Sequence, residues 1–216
     1  MNNEQITIVE ISRRNHINTL SLSDGTTIRM SHSLFKESPW HQGTGVNSAA
    51  EILDWIKNNE KKYAMEKAGF LLSAKNRSEK ELRDALIESA FSEPCVDAVI
   101  EKLLSVGYLN DETYAKSFIA QREARGYGKN KIRMELRQKG IAEEIILNLL
   151  EGDHGEDQQL ASAMHLVEKA ARGKNLKEYK DRQKVKAALV RRGFDFEMAD
   201  EAIRLFLDGD ESLEDE

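Results

Sequence analysis

Two stretches of this chain concentrate side chains that could do chemistry, and that chemistry is electrostatic. Between residues 122 and 139 stand Arg122, Arg125, Lys129, Lys131, Arg133, Arg137 and Lys139, against only Glu123 and Glu135. Between residues 172 and 192 nine lysines and arginines, Lys184, Lys186, Arg191 and Arg192 among them, face only Glu178 and Asp181. Cations at this density neutralise phosphates, which gives sequence-independent, salt-dependent attachment to nucleic acid, or they meet an acidic protein surface. The eleven named cations are the candidate partner-binding set. The competing reading is a solvated helix surface laced with i,i+4 pairs.

Other chemistry finds little to stand on. Gly126-Tyr127-Gly128-Lys129 lacks the spacing of a phosphate-binding loop and the strand that should precede it. The histidines, His16, His32, His41, His154 and His165, show no metal-ligand spacing. The single cysteine, Cys95, cannot form an internal disulfide and lies on an apolar helical pattern, so it reads as a buried structural thiol. A non-enzymatic protein with no cofactor and no metal site is therefore predicted.

Composition bounds the rest. The 216 residues are 32% charged with two prolines, which points to exposed helices. The net charge of −6 resides in the last nine residues, where Asp208, Asp210, Glu211, Glu214, Asp215 and Glu216 meet no base. That segment, 208–216, is expected to be a disordered acidic tail, because like charges repel and little apolar surface is available to bury. No run approaches the 18 or so apolar residues of a membrane span, and MNNEQITIVE is not a signal pattern, so a cytoplasmic protein without membrane contact is expected.

These cations must be positioned by helices. Gly107 reads as a helix C-cap and Asn110 and Asp111 as acceptors for the next helix, along which Tyr114, Ala115, Phe118 and Ile119 form one apolar stripe. After Gly126-Tyr127-Gly128 a second helix carries Ile132 and Leu136 inward, and Gly140 with Ile141 closes it. Upstream, residues 5–35 are rich in Ile, Thr, Val and Ser, with period-2 alternation and a hairpin signal at Asp24-Gly25, which predicts a meander of three strands. Residues 36–47 read as a linker and 48–106 as helical, with capping-box spacings at Ser48/Glu51 and Ser78/Glu81 and a further start at Ser92-Glu93-Pro94.

The helical part repeats. Leu82, Leu86, Phe91, Val96, Val99 and Ile100 superpose on Ile132, Leu136, Ile141, Ile146, Leu149 and Leu150, and again on Val185, Leu189, Phe194, Ala199, Ala202 and Ile203. Every position is apolar, as stacked repeats require. The expected fold is mainly α: three tandem three-helix repeats in an elongated, curved array behind a small N-terminal β-meander. The divisions are 1–47 (β-rich segment and linker), 48–106 (lead-in and first repeat), 107–151 (second repeat), 152–207 (third repeat) and 208–216 (tail). Few Asn or Gln residues line the middle helices, which argues against base-specific readout.

Arg77-Ser78-Glu79 with Glu81-Leu82, then Gly107-Tyr108-Leu109-Asn110-Asp111 with Tyr114-Ala115 and Phe118, then Arg122, Gly126, Gly128, Ile132-Arg133, Leu136 and Lys139-Gly140-Ile141 together resemble the RecX family, regulators of the RecA recombinase. The resemblance covers residues 60–207; the middle repeat is its specific part, the β-rich segment adds little and the acidic tail departs from it. It implies tandem three-helix repeats that bind the RecA filament along its groove and inhibit its ATPase, strand-exchange and coprotease activities in DNA repair and recombination, without catalysis of their own. It also implies single- or double-stranded DNA as a further partner. A monomer is expected. The alternative is a stand-alone, sequence-nonspecific DNA-binding helical-repeat protein.

Overall fold

A computed structural model describes residues 5–150 and 156–214, in two compact units, Met1–Asn110 and Asp111–Glu216. The first opens with β1 (Ile6–Arg14), β2 (Ile17–Leu22) and β3 (Thr27–Ser31), then α1 (His32–Lys36) and β4 (Gly45–Val46). The antiparallel sheet runs β3-β2-β1-β4. A fourth strand thus comes from the stretch 36–47 that the sequence suggested was linker, and the short α1 from the end of the stretch read as meander. Gly45 and Val46 pair with Thr7 and Ile6, and Val46 buries its side chain among Ile8, Leu20 and Trp40. Local composition held no sign of this two-residue strand, because its pairing partner is the distant β1.

Two details of β1 escaped the period-2 reading. Between Ile8 and Glu10 the register with β2 slips, so an extra residue is accommodated and Ile8 and Ile11, three apart, share the core-facing side. The β1–β2 turn is Asn15-His16, both at positive φ (49° and 64°). That is the conformation of a two-residue hairpin turn that matches strand twist.

The sheet does not swing free. α2 (Ala49–Ala74) is one unbroken helix whose first half sets Ile52 and Ile56 into the sheet core. Its second half sets Ala64 and Ala68 against α3 (Glu79–Glu88) and α4 (Glu93–Ser105). One helix therefore serves two cores. At its start Ser48 makes no side-chain cap; Glu51 reaches back instead to the Asn47 backbone and side chain at 3.0 and 3.1 Å. The Ser78/Glu81 capping box is formed. Glu60, 1% exposed, accepts from the Ser92 backbone N–H at 2.9 Å and from its hydroxyl, tying α2 to the first turn of α4.

The second unit holds α5 (Asp111–Glu123), α6 (Lys129–Gln138) and α7 (Glu143–Leu150), then α8 (Glu156–Ala171), α9 (Tyr179–Arg192) and α10 (Phe196–Glu214). The six apolar positions of each repeat lie in that repeat's core, with only Leu149 half-buried. The middle helices end alike. Ala90, Gly140 and Gly193 take φ of 63°, 80° and 96°. The next residue then donates its N–H back over the last turn: Phe91 to Leu86, Ile141 to Leu136 and Phe194 to Leu189, at 3.3, 3.1 and 3.2 Å. This closure satisfies carbonyls that the helix end would otherwise leave open. An ion pair recurs as well, since Arg83–Asp97 in the first repeat superposes on Lys186–Asp200 in the third. Residues 208–214 are helical where an unstructured tail was expected, because extending a nucleated helix costs far less than starting one; residues 215–216 lie outside the described part.

Candidate partner-binding surface

The second repeat's α6 and the third repeat's α9 meet end to end. The α6 N-terminus has free backbone donors and the α9 C-terminus has free carbonyls, as all helix ends do. Here they satisfy each other: Gly128 N–H bonds to the Arg192 carbonyl at 2.9 Å and Asn130 N–H to the Gly193 carbonyl at 3.0 Å. The helix-end dipoles have opposite sign and attract. The approach is so close that neither glycine leaves room for a side chain.

Tyr127, just before this junction, is approached by two arginines. Arg192 holds its guanidinium 4.7 Å from the ring centroid and donates to the Arg125 carbonyl at 3.3 Å. Arg122 lies 5.6 Å from the same ring. Both cations are attracted to the electron-rich ring faces. Arg122 also sits 4.7 Å over Phe118 and pairs with Glu135 at 2.6 Å. Lys131 reaches the other Glu135 oxygen at 3.8 Å. Arg122, Arg125, Lys129, Lys131, Arg191 and Arg192 are thus gathered around one joint.

The other candidates are held elsewhere. Arg137, at the far end of α6, grips Glu143 through two bonds of 2.7 and 2.5 Å. That bidentate contact holds the Glu143 carboxyl below its usual range and the Arg137 guanidinium above its own. Lys139 shares that end, and Arg133 stands half-buried between. Lys184 pairs with Asp181 at 2.7 Å, and that bond, with the Asn175 N–H, lowers the Asp181 carboxyl. Lys186 pairs with Asp200 at 2.6 Å. Counting cations by sequence missed these partners, though Asp181, three residues before Lys184, was visible. The side chains of Arg125, Lys129 and Arg191 have no partner among the described residues.

Cys95 is buried, and burial, with the nearby Glu60 carboxylate, pushes its thiol up to about 11. His32 places Nδ1 2.8 Å from Asn18 Oδ1, His165 lies 3.4 Å from Glu168, and His154 is outside the described residues. No metal-ligating group of three or more and no helix long and apolar enough to cross a membrane occurs among the described residues.

Family models for the first, second and third three-helix domains of RecX match residues 64–103, 110–150 and 156–203. A Clostridium perfringens protein named Regulatory protein RecX is 30% identical over 205 residues, which are 93% of this chain and 95% of that one. The chain belongs to the RecX family. Another Regulatory protein RecX, from Bacillus pumilus, is 31% identical over 169 residues, 77% of this chain, and this RecX-family chain spans 64% of its length. The crystal structure of RecX from Lactobacillus salivarius is similar with a TM-score of 0.64 at 25% identity, covering 69% of this chain and 97% of that one. The relatives are named as regulators.

Proposed function

We propose that this protein is a cytoplasmic, monomeric regulator that binds the RecA recombinase filament and restrains its ATPase, strand-exchange and coprotease activities, with no catalysis of its own. Membership of a family of regulatory proteins supports the class of function. The observation that carries the site is the joint at Gly128 and Gly193, where Arg125, Lys129 and Arg191 come together without partners among the described residues. Such cations bind acidic protein surfaces or phosphates at little cost to the fold, since no buried bond is broken to release them. Titrating the protein into cognate RecA on single-stranded DNA should depress ATP hydrolysis below equimolar ratio; unchanged hydrolysis at equimolar protein would overturn the reading.

A second reading, nonspecific DNA binding without RecA, rests on the same three cations and on the net positive charge of residues 172–192. Under that reading the chain binds duplex and single strands alone, with affinity falling steeply as salt rises. Absence of binding even at low salt removes it.

A further inference from the structure

The third repeat carries a groove for which its repeat architecture has no need. In the first and second repeats the last helix opens with Glu93 and Glu143, acids that suit the positive end of a helix. The superposed residue of the third repeat is Phe196, which is 64% exposed and does not contribute to the core. The middle helix differs too. Matched to Glu79 and Lys129, α9 would begin at Arg182, but it starts a turn earlier, at Tyr179, whose ring is 71% exposed. Between that added turn and the far end of α10 lies a groove of about 350 Å³, lined by Tyr179, Arg182, Lys186, Arg204, Leu207 and Asp208, among others.

Its chemistry is specific in kind. Lys186 bridges the two ends: it lines the groove and holds its ammonium 5.2 Å from the Phe196 ring centroid. Tyr179 and Phe196 are thus exposed aromatic faces flanking a cationic strip on α9. Asp200, the other acid in the wall, is neutralised by Lys186 at 2.6 Å, so that Arg182 and Arg204 outweigh the remaining Asp208. Arg204 has only a long contact to Glu201, at 3.9 Å, and the Arg182 side chain has no partner among the described residues. Aromatic faces next to cations that track a backbone are how unpaired nucleotides are held without sequence preference, because every base has a face to stack. A duplex keeps its base faces hidden and would use the cations only.

We propose that this α9–α10 groove seats single-stranded nucleic acid, with Tyr179 and Phe196 as base-stacking platforms and Arg182 and Arg204 facing phosphates, while Lys186 stays paired with Asp200 between them. It is separate from the joint at Gly128 and Gly193 and does not depend on the RecA-directed reading. Fluorescence anisotropy of the full chain, without RecA, would compare an oligothymidylate of about 20 nucleotides with an abasic strand of the same length and charge. The wild type should bind the oligothymidylate more tightly, and Tyr179→Ala or Phe196→Ala should each weaken that binding about tenfold while leaving the abasic strand within about twofold. Tyr179→Phe should retain wild-type preference. Circular dichroism should be unchanged throughout, since both rings are exposed. Equal binding of the two strands by wild type, or alanine variants that keep the preference, would overturn the proposal. So would variants that lose RecA inhibition yet bind strands normally, which would make the groove a protein contact.

Discussion

Gly128 and Gly193 approach so closely that a Cβ built on Gly128 would lie under 3.0 Å from the Gly193 carbonyl carbon, and one on Gly193 would lie under 3.0 Å from the Lys131 amide nitrogen. Backbone cannot yield there without breaking the two hydrogen bonds that join α6 to α9. Gly128→Ala should therefore destabilise the Asp111–Glu216 unit by about 2–4 kcal/mol in urea unfolding, from overpacking together with lost bonds. Gly69→Ala, in mid-helix with nothing within 4 Å, should raise stability by about 0.5–1 kcal/mol.

The cations around that joint divide into two classes that mutagenesis can separate. Under the proposed function, reversing Arg125, Lys129 and Arg191 to Glu together should leave the helical circular dichroism and melting temperature near wild type while raising the concentration at which RecA is inhibited more than tenfold. Arg122→Ala should do the opposite kind of damage. It leaves half-buried Glu135 without its arginine and uncovers Phe118 and Tyr127. A loss of about 1–3 kcal/mol of stability is expected. Loss of fold in the triple variant would show that those three residues also serve internal pairing.

Ala90 occupies the left-handed position that glycine fills at 140 and 193. A Cβ there costs about 1 kcal/mol or more, and glycine returns part of this as unfolded-state entropy. Ala90→Gly should stabilise the first repeat by about 0.5–1 kcal/mol, whereas Gly140→Ala should destabilise the second. Thermal melting of both variants checks the sign.

Glu60 caps α4 from inside the core, and its replacement by Ala leaves the Ser92 N–H and hydroxyl without their acceptor. A loss of about 1–3 kcal/mol is expected in equilibrium unfolding. Glu60→Gln keeps an acceptor oxygen and should cost less.

The Cys95 thiol titrates near 11 in the folded chain against an ordinary 9.0. The folded state therefore holds its proton more tightly than the unfolded state. Its contribution is fully present below pH 9 and is lost as pH rises from 9 towards 11. The wild type should lose stability across that window more than Cys95→Ala does, and iodoacetamide should label the native thiol slowly at mildly alkaline pH and rapidly in urea.

Periodicity by itself determined the helical repeats. An apolar residue every third or fourth position specifies which face of a helix is buried, and superposed stripes specify that the same face is buried three times; the residues named on that basis form the three helical cores. Glycine punctuation was equally legible at 107, 126, 140 and 193, because a left-handed residue closes a helix in that way. What a local pattern cannot contain is the identity of a distant partner. Gly45-Val46 became a strand because β1 offered its free edge, and the core-facing side of β1 moved at the bulge because β2 set the register. Arg122 and Arg192 look like any exposed arginines in the chain, yet packing α9 against α6 placed both over Tyr127. Charge is a property of sequence, whereas the availability of a charge depends on which acid the fold brings within reach. Tertiary structure alone therefore decided that Arg137, Lys184 and Lys186 are occupied and that, among the described residues, Arg125, Lys129 and Arg191 are not.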